Sequence, residues 1–330
     1  MRRRRISKRR YVDNVCHTLM GAAMGRAGLA RRTSLGMGTL MIASNLPDID
    51  VGVFLTPTLA MSFRRGWTHG VLADAVLPPL LAIVVQAWDR RVVQRRGDAP
   101  PPATFGALVA LSYAGVLMHV FMDYLNSYGV RLLMPFSQRW FYGDALFIVD
   151  PWLYLLLGAA VWLSVRRARK GWAGVDQPAR LGLALSMVYM LAMFGSNLIA
   201  RETVRNGLVR AGQPAETRFM VTPVPLNPFR REVVIDVASR YEKGTLWFEP
   251  APHFRPGGFG IDKDLDAADV RAALASPRAA AFLTWSRFPF AAVDRSKSPP
   301  TVWLNDYRYA DTGLGGWSAT YVPVESAEPR

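Results

Sequence analysis

TFGALVALSYAGVLMHVFMDYL, residues 104–125, is the stretch on which the fold turns. It is apolar over a length that matches the roughly 20 helical residues needed to cross a bilayer, and it carries no Lys, Arg or Glu. Its two chemically active side chains, His119 and Asp123, are four residues apart, which puts both on one face of a helix. Three further runs have the same character: 70–88, 147–165 and 181–200. Unpaired backbone polar groups are not tolerated in lipid, so a helix is the form expected for all four. Two weaker, glycine-containing segments precede them, 13–30 and 33–46, which could span, lie in the interface, or pack as a hairpin against the others.

The rest of the chain is organised around this apolar block. Of the 330 residues 51% are hydrophobic, yet the net charge is +15, so the two properties must be segregated. Basic residues cluster beside the apolar runs: Arg31 and Arg32; Arg90, Arg91, Arg95 and Arg96; Arg166, Arg167, Arg169 and Lys170. Such clusters are membrane topology signals, and nucleic acid ranks below the membrane as their partner. With helices running up and down, all three fall on one face, which the positive-inside rule makes cytoplasmic. The opening tail, with Arg2–Arg5, Lys8, Arg9 and Arg10, pulls the other way if both weak segments span.

Beyond residue 200 the pattern changes to short alternating runs broken by Pro and Gly, among them 232–237, 245–249 and 301–304, which read as strands. The expected architecture is therefore mainly α: a basic tail at 1–11, a multi-helix transmembrane bundle at 12–200, and a smaller β-rich extramembrane domain at 201–330. A single cysteine, Cys16, excludes an internal disulfide and a thiolate metal site.

Histidines and aspartates collect at one level of this bundle. With alternating helices, His17 lies near the start of one helix and Asp48 and Asp50 at the end of the next. His69 lies at the start of a third, and His119 with Asp123 near the end of a fourth. Asp13 repeats the i, i+4 spacing with His17, and Asp144 and Asp150 flank the start of the run at 147–165. Ionisable groups at membrane depth are costly and are normally paired or functional, so this gathering invites a cation. The expected ligands are His17, Asp48, Asp50, His69, His119, Asp123 and Asp150. Nitrogen and oxygen donors suit Zn²⁺, Mn²⁺ or Fe²⁺, with zinc the default, and the number of acids leaves room for one ion or two bridged by Asp123. Asp50, Asp123 and Arg65 are the expected catalytic residues, and Arg65, Arg64 or Arg139 could hold a phosphate.

The motifs Asp13-x-x-x-His17-Thr18-Leu19-x-Gly21, Leu46-Pro47-Asp48-Ile49-Asp50, Arg65-Gly66-x-Thr68-His69, His119-x-x-x-Asp123-Tyr124-x-Asn126-x-Tyr128-Gly129 and Ile148-Val149-Asp150-Pro151 form an ordered set. The set resembles the membrane-bound metal-dependent hydrolases, also described as LexA-binding, inner-membrane-associated hydrolases. Two later segments, Thr222-Pro223-x-Pro225-x-Asn227-Pro228-Phe229-Arg230 and Trp285-Ser286-Arg287-Phe288-Pro289, look like the tail of longer members. More remotely, the order His, Asp, His, H-x-x-x-D is similar to the all-α zinc-dependent phospholipase C and single-strand nuclease fold. That similarity implies Asp48 or Asp50, His69, His119 and Asp123 around one ion, with His17 and a shared Asp123 at another. The later histidines of that fold have no counterpart, since the one remaining histidine is His253.

These expectations combine into a multi-pass protein of the bacterial inner membrane that hydrolyses a phosphoester of a lipid or lipid-linked substrate. Its partners would then be membrane lipids and that substrate. The alternative is a non-catalytic protein in which the metal is structural and the β-rich domain or basic face recruits a protein partner. Metal transport ranks last, because the acids and imidazoles cluster at one end.

Overall fold

A computed structural model describes residues 14–55, 60–310 and 314–324. Asp13 and the basic tail lie outside these residues. The helical part comprises α1 (Asn14–Arg26), α2 (Gly36–Ala43), α3 (Ala60–Phe63), α4 (Val71–Trp88), α5 (Phe105–Leu125), α6 (Pro151–Arg169) and α7 (Gln177–Arg210). A 3-10 segment, Leu46–Leu55, links α2 to α3. The two weak segments form the short pair α1 and α2, of 13 and 8 residues, packed as a hairpin against the longer helices. α1 is wedged between α2, α5, α6 and α7, and Cys16, Met20, Ala23 and Met24 fill the centre of the bundle with Leu40, Leu111, Met122, Leu157 and Met193.

Among the described residues three helices are long and apolar enough to cross a membrane: Val71–Val93, Phe105–Leu125 and Gln177–Arg210. Four had been expected. α6 is a helix, but Arg166, Arg167 and Arg169 occupy its last turn. Its apolar part, roughly 15 residues, spans about 22 Å at 1.5 Å per residue, short of a hydrocarbon core of about 30 Å. Val71, Leu72, Val76, Leu80, Ile83, Val84 and Trp88 of α4 are exposed, as are Leu181, Leu185, Val188, Leu191, Leu198 and Ile199 of α7. Apolar stripes of that length face hydrocarbon rather than water.

Helix crossing is close where α1, α2 and α5 meet. A Cβ on Gly21 would stand 2.7 Å from Ser44 Oγ and 2.9 Å from the Leu40 carbonyl; one on Gly115 would stand 2.5 Å from the Ala43 Cβ and 2.9 Å from the Ser44 nitrogen. Both glycines therefore seat the helices directly against the end of α2. Gly21 is one turn after His17 and Gly115 one turn before His119, so the approach brings the two imidazoles into a stack with centroids 3.9 Å apart.

α7 does not stop at residue 200, where the domain boundary was expected. Polar Arg201, Glu202, Arg205 and Asn206 follow, yet Ala200, Val204 and Leu208, at i, i+4 and i+8, keep the helix running because they bury against Val221, Val233, Ile235 and Leu246. Those residues belong to an antiparallel sheet of β1 (Phe219–Val224), β2 (Asn227–Val237), β3 (Arg240–Phe248) and β4 (Pro252–Asp262) in sequence order. α8 (Ala268–Leu274) and α9 (Pro277–Trp285) then precede a second antiparallel sheet, β5 (Pro289–Asp294), β6 (Thr301–Asp306) and β7 (Ala319–Pro323). The expected runs at 232–237, 245–249 and 301–304 all coincide with strands, apart from Glu249 just past the end of β3.

The candidate metal centre

Five pieces of chain deliver the site to one end of the bundle. α1 brings His17; the 3-10 segment after α2 brings Asp48 and Asp50; the turn after α3 brings Arg64 and Arg65; His69 precedes the first turn of α4; α5 brings His119 and Asp123. All are buried, with His69 at 0% exposure and His119 and Asp123 at 1%.

Four of the expected ligands close on one point. One donor atom each from Asp48, His69, His119 and Asp123 lies within 4.8 Å of every other. The two imidazoles face each other through Nε2 atoms 3.2 Å apart. Asp123 Oδ2 is 3.2 Å from His69 Nε2 and 3.6 Å from His119 Nε2, and Asp48 Oδ1 is 3.9 Å from His69 Nε2. A tetrahedral zinc with bonds of about 2.0 Å has ligand–ligand edges of about 3.3 Å, so the three donors of His69, His119 and Asp123 stand near the spacing such an ion needs, and Asp48 lies somewhat wider.

The outward nitrogens explain why the inward ones are bare. His119 Nδ1 is 2.8 Å from the Ser44 carbonyl, which can only accept, so Nδ1 carries the proton and Nε2 presents a lone pair. His69 Nδ1 is 3.0 Å from Thr68 Oγ1, a hydroxyl that can donate or accept, and 3.6 Å from Asp50 Oδ2, a carboxylate that favours the proton on Nδ1. With the His69 proton on Nδ1 as well, two lone pairs and Asp123 Oδ2, which has no hydrogen-bond donor, point at one small volume. A cation is the group that such a volume accepts, and a carbonyl or carboxylate behind each histidine is the usual support of a metal-ligating imidazole.

The other expected site residues surround this core. Asp50 stands behind His69 and not among the four: Oδ2 accepts from the Arg65 backbone nitrogen at 2.7 Å and Oδ1 from Arg64 Nε at 3.3 Å. His17 approaches the far side of Asp123, with Nε2 3.4 Å from Oδ1, and its Nδ1 has no partner. Arg65 lies on that same side, donating from Nη2 to Asp123 Oδ1 at 2.8 Å and from Nη1 to Asn126 Oδ1 at 2.9 Å. Arg65 takes a left-handed backbone conformation, φ 52°, held by Asp50 on its nitrogen and by the Arg131 nitrogen on its carbonyl. Arg64 pairs with Asp48 and Asp50, while Arg139 is exposed.

Asp150 is engaged elsewhere. Its carboxylate caps α6, accepting from the Trp152 and Leu153 nitrogens, and also accepts from the Tyr189 hydroxyl at 3.0 Å. It lies across a cavity of about 20 Å³ that His17, Asp123 and Asn126 also line; that is room for one water. Asp144 pairs with Arg287 at 2.8 Å, and His253 is exposed on β4. Three groups carry weight here that the sequence did not single out: the Ser44 carbonyl, Asn126 as a partner of Arg65, and Tyr189. A backbone carbonyl leaves no trace in a sequence. Asn126, three residues past Asp123 at the end of a helix, could have been found by asking what receives Arg65.

No solved structure matches this chain. The uncharacterized protein YfhP of Bacillus subtilis (strain 168) is 27% identical over 171 residues, which cover 46% of this chain and 47% of that protein; the match thus spans about half of either chain. Residues 12–204 match the model of a family described as YdjM inner membrane protein. Those residues are more than half of the chain, contain every member of the site above, and cover the three helices fit to cross a membrane apart from the last six residues of the third. The protein is an inner-membrane protein and belongs to the YdjM family.

Proposed function

We propose that this chain is a membrane-bound metal-dependent hydrolase acting on a phosphoester. The supporting observation is the pair of Nε2 atoms that face each other at 3.2 Å beside an undonated carboxylate oxygen. Asp48, His69, His119 and Asp123 hold one divalent ion, zinc by donor type, with Mn²⁺ or Fe²⁺ the alternatives. When bound, such an ion supplies Lewis acidity, allowing water to lose a proton near neutral pH and polarising the bond under attack. His17, which lines a cavity the size of one water and whose Nδ1 has no partner, is the residue that would accept a proton from water there. Arg65, bonded to Asp123 and Asn126 of the cavity wall, neutralises charge on the phosphoryl oxygens. Asp50 holds His69 and Arg65 in register. A site at one end of apolar helices is suited to a lipid or lipid-linked headgroup.

The burial of all four ligands favours a second reading, in which the ion is structural and the protein serves to bind a partner. Metal analysis of purified protein, alongside His119→Ala and Asp123→Ala variants and hydrolysis assays on phosphomonoesters and phosphodiesters, separates the two. Stoichiometric metal and turnover in the native protein, both lost in the variants, are expected. Metal without turnover on any phosphoester establishes the structural reading; metal retained by both variants refutes the centre itself.

A further inference from the structure

The segment after β6 reaches the turn that follows α5 through two side chains, Tyr309, whose hydroxyl is 3.3 Å from Ser127 Oγ, and the buried Arg308. Arg308 follows β6 with its side chain fully buried against Asp306, Nε to Oδ1 at 2.9 Å and Nη2 to Oδ2 at 3.0 Å. Asp306 is held as firmly: burial alone would raise its carboxyl, but Arg308 beside it keeps the group below the ordinary carboxylate range. An ion pair this buried is costly unless its remaining donors are satisfied. Arg308 spends them on main-chain oxygens, with Nη1 donating to the Ser127 carbonyl at 2.8 Å and Nη2 to the Trp285 carbonyl at 3.3 Å.

Ser127 belongs to the turn that leaves α5 directly below Asp123. Asn126 Oδ1 closes that turn by accepting from the Tyr128 nitrogen at 2.8 Å, and the same oxygen receives Arg65. The Tyr128 ring lies under the Arg65 guanidinium at 4.7 Å and against the Trp285 ring at 5.2 Å. Moving Ser127 and Tyr128 therefore moves both supports of Arg65. We propose that Arg308 is a positioning residue: residues beyond the family match fix the turn 126–128 and, through it, the guanidinium that faces the scissile group. The role assigned to Arg65 rests on the hydrolase reading above; the positioning does not.

The test uses detergent-solubilised full-length protein carrying Arg308→Ala, Arg308→Lys, Arg65→Ala, the Arg65→Ala/Arg308→Ala double change, and Arg287→Ala. The last removes another ion pair that ties the carboxy-terminal segment to the bundle, the one to Asp144, without touching the turn. Hydrogen exchange is read at the Arg65 and Tyr128 amides, and inorganic phosphate binding by calorimetry on metal-loaded protein. Arg308→Ala should speed exchange at both amides while Arg287→Ala should not. Phosphate should bind about tenfold or more weakly in Arg308→Ala, as expected for losing hydrogen bonds to a charged group, with partial recovery in Arg308→Lys. The double variant should be no weaker than Arg65→Ala alone, because both act through one guanidinium. Faster exchange at both amides in Arg308→Ala, with no phosphate bound even by the native protein, sinks the phosphoester reading and leaves the positioning intact. Unchanged exchange at Arg65 in Arg308→Ala, additive losses in the double variant, or an equal response to Arg287→Ala overturns the positioning.

Discussion

Gly115→Ala puts the architecture of the centre to its hardest test, because it adds one methyl group and removes nothing. The new Cβ would stand 2.5 Å from the Ala43 Cβ and 2.9 Å from the Ser44 nitrogen. Carbon atoms pack at about 3.5–4.0 Å, so the end of α2 must retreat by roughly 1 Å. Overpacking of this kind costs about 1–3 kcal/mol, against a gain of about 0.5–1 kcal/mol for Ala over Gly in a helix. A net loss of up to about 2.5 kcal/mol in stability follows. The same retreat carries the Ser44 carbonyl away from His119 Nδ1, now 2.8 Å away. Loss of such an outer support typically weakens metal binding about 10- to 100-fold. Gly158→Ala is the control: nothing lies within 4 Å of a Cβ there, so it should be neutral or slightly stabilising. Thermal unfolding in detergent and zinc titration of the two variants give the answer. Gly115→Ala protein that melts with the native protein and binds zinc as tightly would refute the claim that close helix approach aims His119.

Asp150→Ala should cost about 1 kcal/mol, the usual value of an N-cap, and should leave the metal content unchanged; lost metal would put Asp150 back among the ligands. The basic clusters at Arg31–Arg32, Arg90–Arg96 and Arg166–Lys170 lie at the end of the bundle opposite His119 and Asp123, because α4 and α6 run away from the centre and α5 runs toward it. An alkaline phosphatase fused to the carboxyl terminus should therefore be active outside the cytoplasm; a fluorescent carboxy-terminal fusion protein that matures in the cytoplasm would reverse the orientation.

What could be read from the sequence was what local periodicity encodes. The run 104–125 is α5 with its first residue as the cap, and the strand alternation beyond residue 226 reappears in β2, β3 and β6. The convergence of Asp48, His69, His119 and Asp123 was also legible, since alternation of helices sends all four to one end. Asp150 was ambiguous in the sequence because an acid before a helix serves a metal and a cap equally well; here it caps α6, and Asp followed by Pro at the first helical position is a cap signature. Asp50 could not be told from Asp48 by spacing; their separation depends on which way a 3-10 turn rotates two side chains against His69. Ser44 and Arg308 act on partners 75 and 181 residues away through main-chain oxygens, and no local pattern marks such a link.

The charges at the centre bear on how many ions it takes. Asp48, Asp50 and Asp123 bring three negative charges, while Arg64 and Arg65, both paired to them, bring two positive ones. With neutral imidazoles the buried group carries a single excess negative charge, which at this burial is expensive to leave uncompensated. One divalent ion turns that excess into a single positive charge, and one anionic oxygen from a phosphoester cancels it. A second divalent ion would raise the excess to three positive charges in the same low-dielectric volume. It would also have to displace the Arg65 guanidinium, which already sits 2.8 Å from the outer oxygen of Asp123. On the proposed hydrolase reading, the two arginines account for the surplus of acids that suggested two metals, and a centre of one ion with Arg65 beside it is the expected outcome of metal analysis.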